Sequence, residues 1–312
     1  IDEVVRRFLK GEWRALIDMA TGLGKTVVVA LIIFRVLPHL CGSKRILFLC
    51  HSVDILIQAK KTFHKIFGNE FTYGFLTDAK KDLHPVDFLF ATYESLYNAR
   101  EHFDEDTFSV IGVDEAHRGH ADTFFKALSL FHPKLLIGAT GTTIRLDGKK
   151  IEDIFGESIL PLPLEDALAQ GLLAKLDYRV IHDGITEEKL GQLGKRRRYF
   201  RTDLDRTLFV PVRDEEIVER IKCAEAEMKD PHTLVFLRNI ATCERFAEVL
   251  PGSFPFHSHR SSQRHVSLEL FRQHAIHRLL SVNAMNEGVD LPHANIGVFN
   301  RITQSHIVYR QQ

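Results

Sequence analysis

The sequence has few cysteines, no excess of charge of either sign and no apolar run long enough to span a membrane. Its four cysteines, Cys41, Cys50, Cys223 and Cys243, form no Cys-x-x-Cys pair, which argues against a disulfide framework and against a structural zinc site. They stand in apolar contexts, so we expect reduced core thiols in a cytoplasmic protein. Basic and acidic residues number 41 each, so any surface for nucleic acid must be a local patch.

The sequence also lacks the features of a membrane or secreted protein. No apolar run approaches the roughly 18 uncharged residues of a membrane span. Residues 1–10 are charged and helical in pattern, unlike a signal peptide. The absence of an initiator Met suggests a fragment of a longer protein. The 312 residues allow two domains, and a hydrophobic content of 45% is ample for buried cores.

What the sequence does contain is a glycine-rich stretch between two apolar runs, 15–17 and 27–37. That context is typical of a buried strand followed by a buried helix. The stretch consists of Thr21, Gly22, Leu23, Gly24, Lys25 and Thr26. In such a loop the backbone N–H groups cradle phosphates, the lysine reaches the β- and γ-phosphates, and the hydroxyl binds magnesium. The pattern predicts a nucleotide site, although the general phosphate-loop motif has glycine where this chain has Met19.

Strand-like and helix-like segments alternate from residue 12 to about residue 164. The predicted strands are the apolar runs 14–19, 44–50, 86–91, 108–113 and 134–138. This alternation predicts an α/β fold with a parallel sheet and helices on both faces. Ligands of such a sheet bind at the carboxyl ends of the strands. We therefore expect the phosphate loop, His51, Thr92 and Asp114 to converge on one edge.

Asp114 and Glu115 follow a buried apolar strand and form a second chemical group. Asp114 is suited to hold magnesium opposite the phosphate loop, and Glu115 to orient and deprotonate the attacking water. An acidic pair after a strand is, by itself, more often a solvated turn. His117 and His120 could extend the pair into a zinc cluster, but no further Cys/His pair has ligand spacing, and carboxylates beside a phosphate loop favour magnesium.

The phosphate loop and the segment 114–117 together resemble motifs I and II of superfamily 2 helicases of the D-E-A-H type. The chain is most similar to the "type III restriction enzyme, res subunit" class, which is related to restriction-enzyme motors and XPB-like helicases, and in which Met19 is ordinary. The resemblance implies two tandem RecA-like domains, each a mainly parallel sheet with helices on both faces. It also implies ATP and Mg²⁺ as cofactors, with Lys25, Asp114, Glu115 and His117 catalytic and with Thr26 and Asp114 at the metal.

Further segments resemble the family's motifs in the expected order. Segments 48–51 and 90–96 resemble motifs Ia and Ib, which place His51, Thr92 and Tyr93 along the nucleic acid; strand-end capping is the alternative for His51 and Thr92. Segment 138–145 resembles motif III, in which Thr140 and Thr142 would relay closure and Arg145 would contact nucleic acid. Gly141 and Thr143 replace the usual alanine and proline. We therefore expect a looser loop and altered coupling.

The resemblance places a domain boundary near 165–175, with the first RecA-like domain at 1–170 and the second at 171–312. Gly171 is a natural helix C-cap. Residues 182–212 are predicted as a basic, linker-like segment. Its run 195–201 mixes basic and aromatic residues, a composition that can bind nucleic acid and that also suits a solvated segment.

The second block resembles motifs IV and V. Segment 233–237 matches motif IV, and His257, in the family's next strand, would contact nucleic acid. In motif V, Val282 and Asn283 would contact nucleic acid, while Gly288 and Asp290 would approach the nucleotide. Motif VI would continue from the glutamine pair Gln311 and Gln312, of which Gln312 would take part in coupling, and its arginines would lie beyond that pair. The adenine-reading glutamine would precede Ile1. We therefore expect residues 1–312 to bind nucleotide and to hydrolyse it poorly.

These patterns predict an ATP-dependent helicase motor core. The alternatives are a double-strand DNA translocase of a restriction or repair complex, and a nucleotide-gated, nucleic-acid-binding scaffold with weak catalysis. A small-molecule kinase does not explain the ordered motifs. The sequence alone does not separate DNA from RNA, but the resemblance to restriction-enzyme motors favours DNA and implies nuclease or other accessory domains as partners, with no membrane partner.

Overall fold

The computed structural model describes residues 1–116, 121–141, 151–159, 161–175, 177, 179, 211–257, 261–282, 291 and 293–300. Within these ranges, side chains are not described for residues 121–124, 211–213 and 261–265. The chain divides into two compact units, Ile1–Leu176 and Asp177–Gln312. The predicted domain assignment, 1–170 and 171–312, stays a prediction.

The first unit alternates strands and helices from its first residues onward. Its strands are β1 (Arg14–Asp18), β2 (Ile46–Cys50), β3 (Tyr73–Leu76), β4 (Phe88–Thr92), β5 (Val110–Val113) and β6 (Leu135–Thr140). Its helices are α1 (Asp2–Leu9), α2 (Lys25–Val36), α3 (Val53–Phe67), α4 (Tyr93–Asn98), α5 (Ala121–Leu128), α6 (Glu152–Phe155) and α7 (Leu164–Ala169), with short 3-10 turns at Leu37–His39 and Arg100–His102.

The six strands form one sheet in the order β1-β6-β5-β2-β4-β3, and every pairing is parallel. Strand β2 is buried along its whole length, and its side chains alternate between two cores. Phe48 packs with α2 and α3 on one face, whereas Leu47 and Leu49 pack with α4 and α5 on the other. This burial on both faces explains why β2 reads as a continuous apolar run.

The order of the strands decides which loops meet. Strand β6 lies between β1 and β5, although it is the last of the three in sequence. The segments that follow β1, β6 and β5 are therefore neighbours at the carboxyl edge of the sheet. A further segment runs alongside β1, on the side away from β6, because Ser158 pairs with Leu16 and Leu162 pairs with Met19 in parallel bridges.

The second unit contains a smaller sheet of the same kind. Its elements are α8 (Pro211–Ala226), β7 (Thr233–Leu237), α9 (Ile240–Val249), β8 (Ser253–Phe256), α10 (Ser261–Arg272), β9 (Arg278–Ser281) and β10 (Ile296–Asn300). The strand order is β10-β7-β9-β8, and all pairings are parallel. Two cores flank the sheet, one around Phe246 and one around Phe271.

The predicted fold class is confirmed, because both sheets are parallel and both carry apolar clusters on two faces. The expected helix C-cap at Gly171 is shifted by one residue: Gln170 is the C-cap of α7, and Gly171 follows it with φ +69°, its N–H donating to the carbonyl of Leu168 at 3.1 Å. Strand β3 was not predicted from the sequence. It is a four-residue edge strand with alternating burial and contains Gly74, so its apolar signal is weak.

The cysteine prediction is half right. Cys50 and Cys243 are buried, as expected of core thiols, but Cys41 and Cys223 are exposed. Cys223 lies on α8, whose Val218 and Ile221 are buried, and Cys41 directly follows the buried Leu40, so the apolar neighbours are buried while the two thiols are exposed. All four are free. Among the described residues, no helix is both long and apolar enough to cross a membrane.

Candidate nucleotide site

The glycine-rich stretch forms the turn between β1 and α2. Gly22 and Gly24 have φ values of +85° and +76°, a region that favours glycine. Gly24 is the N-cap of α2, and Lys25 is the first residue of the helix. The N-terminus of α2 therefore follows directly on the glycine turn, which directs free N–H groups and partial positive charge to this point.

Asp114 and Glu115 meet the phosphate loop at the carboxyl end of β5. The hydroxyl of Thr26 donates to Oδ2 of Asp114 at 2.9 Å. The ammonium of Lys25 lies 3.6 Å from Oε1 of Glu115, and both side chains are buried, with 7% and 11% exposed. Through these two contacts the end of the loop and the acidic pair, 88 residues apart, form one group.

The backbone at Glu115 is unusual for a residue with a side chain. Its φ is +47°, a left-handed conformation that costs of the order of 1–3 kcal/mol outside glycine. The N–H of Glu115 donates to Oδ1 of Asp114 at 2.9 Å, and the N–H of Asp114 donates to the carbonyl of Leu49 at 2.9 Å. These bonds hold the turn that brings the Glu115 carboxylate back to Lys25.

Electrostatics at this edge favour the binding of a cation. Burial raises the pKa of Asp114, and the neighbouring Glu115 charge raises it further, while Lys25 and the Thr26 hydroxyl oppose the shift. Burial also raises the pKa of Asp18, with Glu152 adding to the effect and Lys25 opposing it. Ionised carboxylates are thus costly here until additional positive charge compensates them.

The same field acts on the neighbouring thiol. Cys50 ends β2 and is fully buried, and its pKa is raised, first by burial and then by the charge of Asp114. A thiol with a raised pKa is a poor nucleophile. Cys50 therefore packs beside the site as a buried, protonated thiol.

Thr140, the last residue of β6, and the following Gly141 lie beside Met19 and Lys25. Thr140 is fully buried, and its carbonyl accepts a bond from the N–H of Met19 at 2.9 Å. A Cβ atom added at Gly141 would lie 3.4 Å from the Met19 carbonyl oxygen and 3.5 Å from Nζ of Lys25. The predicted motif III therefore begins in contact with the phosphate loop.

No pattern in the sequence indicated that residues after 157 contact the phosphate loop and the end of β1. The N–H of Ala20 donates to the carbonyl of Leu162 at 3.0 Å, and the N–H of Leu162 donates to the carbonyl of Asp18 at 2.8 Å. A Cβ atom at Gly22 would lie 3.2 Å from Leu173. These are backbone and shape contacts, which carry little residue-specific signal.

Three residues predicted to contact nucleic acid lie at the same edge in the first unit. His51 follows β2, is half-buried, and has Nδ1 3.7 Å from Sγ of Cys50. Thr92 is the N-cap of α4, its side chain accepting from the N–H of Ser95 at 3.3 Å. Tyr93 is buried, and its hydroxyl donates to the carbonyl of Asp114 at 3.2 Å. Capping is thus one role of Thr92; nucleic-acid contact stays a prediction for all three residues.

In the second unit, His257 and Val282 are both buried. Nε2 of His257 lies 2.9 Å from Oε1 of Glu244, and Val282 packs in the core around Phe246. Their predicted contact with nucleic acid stays a prediction. Several other predicted positions lie outside the described residues: His117, His120, Thr142, Thr143, Arg145, Asn283, Gly288, Asp290, Gln312 and the basic run 195–201.

The residues present fit the implied cofactors. A hydroxyl and a carboxylate, Thr26 and Asp114, form a hard-oxygen donor pair of the kind that Mg²⁺ prefers. The positive-φ glycines and the N-terminus of α2 form a cradle for phosphate groups, beside the ammonium of Lys25.

Fold and site together define a protein with tandem RecA-like P-loop domains. Residues 1–145 match the family model of the type III restriction enzyme, res subunit, and residues 215–312 match that of the helicase conserved C-terminal domain. Between them the two models match most of the chain. The chain belongs to the superfamily 2 helicases of the restriction-enzyme type.

Relatives and solved structures agree with this placement. The chain is 27% identical over 280 residues to the type I restriction enzyme EcoAI endonuclease subunit of Escherichia coli, covering 82% of this chain and 34% of the relative. It is 22% identical to the DNA 3'-5' translocase XPB2 of Sulfurisphaera tokodaii, covering 95% and 72% of the two chains. The fold superposes on a fragment of a putative HsdR subunit of a type I restriction enzyme from Vibrio vulnificus YJ016 with a TM-score of 0.68 at 20% identity, covering 99% and 57%. The chain spans about a third of the length of the EcoAI subunit.

Proposed function

We propose that the chain is the ATP-dependent motor core of a helicase or translocase that acts on nucleic acid, and that DNA is its substrate. One observation carries the proposal: Lys25, Thr26, Asp114 and Glu115 form a single group through contacts of 3.6 and 2.9 Å, and all of them but the half-buried Thr26 are buried. A lysine, a hydroxyl and two carboxylates are the groups that phosphoryl transfer requires for positioning and charge neutralisation.

Each member of the group has a distinct role in the proposal. The loop 21–25 binds the phosphates through its backbone N–H groups, and Lys25 neutralises their charge. Thr26 and Asp114 hold magnesium, and that ion, when bound, supplies neutralisation of the charge that develops on the phosphate oxygens. Glu115 is the general base that orients and deprotonates the attacking water. His117 completes the predicted catalytic set.

The remaining predicted roles concern coupling, the rest of the nucleotide site and contact with the nucleic acid. Thr140 lies against the phosphate loop through the bond that its carbonyl accepts from Met19, which supports a role in relaying closure, together with Thr142 and Gln312. Gly288 and Asp290 complete the nucleotide site in the proposal. The residues that contact the nucleic acid in the proposal are His51, Thr92, Tyr93, Arg145, His257, Val282 and Asn283.

The choice of DNA rests on the relatives. One is a restriction-enzyme subunit and another is described as a DNA translocase. The second name also supports the alternative, a motor that moves along duplex DNA without separating its strands. Because the chain spans only part of the EcoAI relative, nuclease or other accessory domains elsewhere in the protein are part of the proposal.

The catalytic assignment is tested with Glu115→Gln in the full-length protein. Amide replaces carboxylate with little change in shape, so we expect ATP binding within about two-fold of wild type and loss of turnover by roughly 10²- to 10⁴-fold, the usual contribution of a general base. Glu101→Gln is the matched control, because Glu101 is 85% exposed. Retained hydrolysis in the Glu115 variant would refute the assignment.

The substrate is tested by measuring ATPase stimulation of the full-length protein by single-stranded DNA, duplex DNA and RNA. The proposal predicts the strongest stimulation by DNA. A strand-displacement assay beside a triplex-displacement assay separates the two motors, since a duplex translocase displaces only the third strand. A nucleotide-gated scaffold would show no stimulation by any of the three.

A further inference from the structure

The second unit carries a histidine–aspartate cluster that the nucleotide site does not use. The cluster consists of Asp230, His232 and His277, with His274 and His293 beside it. His232 immediately precedes β7 and His277 immediately precedes β9. The cluster therefore lies at the amino edge of the sheet, opposite the carboxyl edge at which β7 and β9 end. We propose that it binds a divalent transition-metal ion, with Zn²⁺ as the preferred ion.

The three principal residues already have the spacing of a loose ligand set. One candidate ligand atom of each lies within 4.8 Å of those of the other two, and no other such group occurs in the part of the chain that the structure describes. His232 is 1% exposed, whereas Asp230 and His277 are exposed. The ion would thus have one buried ligand and two ligands that can adjust at the surface.

The buried imidazole has a free coordinating atom. Nδ1 of His232 lies 3.3 Å from the carbonyl oxygen of Asp230 and 3.7 Å from its Oδ1. In the tautomer that donates from Nδ1 to these oxygens, the lone pair is on Nε2. Nε2 is buried and has no hydrogen-bond partner among the described residues. A buried nitrogen without a partner is costly, and coordination of a metal removes that cost.

The backbone around the cluster is held in place independently of the ion. Oδ1 of Asn295 accepts from the N–H of His232 at 2.8 Å, and Nδ2 of Asn295 donates to the carbonyl of Asp230 at 2.8 Å. The carbonyl of His277 accepts from the N–H of Thr233 at 2.8 Å. Such outer contacts fix the direction of metal ligands, so the backbone loses little conformational entropy when the ion binds.

Additional imidazoles surround the three principal residues. The ring centroids of His232 and His274 are 4.4 Å apart, and those of His274 and His293 are 4.3 Å apart. Nδ1 of His274 also lies 3.7 Å from Oδ2 of Asp230. His274 is thus placed to become a fourth ligand, which completes the four-coordinate geometry that Zn²⁺ adopts.

The donor atoms decide the class of ion. Imidazole nitrogens combined with one carboxylate oxygen suit Zn²⁺ and its transition-metal neighbours, whereas Mg²⁺ and Ca²⁺ prefer oxygen ligands alone. An open cavity of ≈ 380 Å³ adjoins the cluster and is lined in part by Asp230 and His277, so the ion has a route from solvent. Because the ion would join the segments before β7 and β9, its binding would stabilise the second unit.

The test uses metal-free protein of the full chain, titrated with Zn²⁺ by calorimetry and with Co²⁺ as a visible-absorption probe. We expect one equivalent of Zn²⁺, a Zn²⁺-dependent rise in Tm, and a Co²⁺ spectrum of nitrogen and oxygen ligands that excess Mg²⁺ leaves unchanged. His277→Gln and Asp230→Asn should each weaken Zn²⁺ binding at least about 10-fold. Both residues are exposed, so these variants should fold. His132→Gln is the control, since His132 is 68% exposed in the first unit.

Three results would overturn the proposal. The first is the absence of Zn²⁺ binding to the wild-type chain. The second is equal affinity in wild type and in His277→Gln. The third is a thiolate-to-cobalt charge-transfer band, which would assign the ion to the exposed Cys41 or Cys223. Each result is independent of ATP turnover, so the metal site and the proposed motor function are tested separately.

Discussion

Two glycines of β6 and its end, Gly138 and Gly141, should respond in opposite ways to alanine. A Cβ atom at Gly138 would lie 2.6–2.8 Å from three ring atoms of Phe155, which is fully buried. Because neither the strand nor the ring can move freely, overpacking should destabilise Gly138→Ala by about 1–3 kcal/mol. At Gly141 the nearest atom would lie at 3.4 Å, an ordinary contact, and no left-handed φ is required there. Gly141→Ala should therefore stabilise the fold by about 0.4–1 kcal/mol, through reduced entropy of the unfolded chain.

The measurement is equilibrium unfolding followed by tryptophan fluorescence. The chain contains a single tryptophan, Trp13, which precedes β1 and so reports on the first unit. A change of 1 kcal/mol shifts Tm by roughly 2–4 °C in a domain of 150–250 residues. We therefore expect Gly138→Ala to lower Tm by roughly 2–12 °C and Gly141→Ala to raise it by roughly 1–4 °C.

A second substitution checks the cause. If the ring of Phe155 is the obstacle, Phe155→Leu should cost less in the Gly138→Ala background than in wild type, because residues in contact are not additive. Equal costs in the two backgrounds would remove the steric explanation. A Gly141→Ala variant less stable than wild type would show that the packing beside Lys25 is tighter than the 3.4 and 3.5 Å contacts imply.

The remaining predictions concern the pair Thr26 and Asp114. Thr26→Val should lower the free energy of unfolding by about 1–3 kcal/mol, because a buried carboxylate loses a donor, and it should abolish Mg²⁺-dependent nucleotide binding. Thr26→Ser should retain both the stability and the Mg²⁺-dependent binding of wild type. Calorimetry that shows equal Mg²⁺ dependence in the two variants would contradict this. Because the folded-state pKa of Asp114 is raised, the folded state binds the proton more tightly than the unfolded state, so ionisation costs stability as the pH rises through the raised pKa. Asp114→Asn should therefore be more stable than wild type at neutral pH, and its advantage should shrink as the pH falls from the raised pKa towards the ordinary pKa of an aspartate, below which it should change no further; urea unfolding across that range measures this, and an advantage independent of pH would point to a different cause.

The sequence by itself determined the class of fold and the chemistry of the first site. Buried strands such as β2 carry an unbroken apolar run because both of their faces are covered, and the loop from Thr21 to Thr26 needs only local features: two glycines at positive φ, a lysine and a hydroxyl. These signals are local, so they survive without knowledge of neighbours. The same reasoning failed at β3, whose four residues include a glycine and lie at the sheet edge.

Only the tertiary structure decided which residues share a space. That β6 lies between β1 and β5 is a matter of strand order, and this order brings Gly141 to Lys25. Packing likewise decided the backbone hydrogen bonds of Leu162 and the left-handed turn at Glu115. It also decided that Cys41 and Cys223 are exposed. The cluster of Asp230, His232 and His277 could not be found in the sequence, because His277 lies 47 residues after Asp230. The three residues meet only where two adjacent parallel strands begin. Spacing along a chain records local geometry, whereas a site built from several strand ends exists only after the sheet has formed.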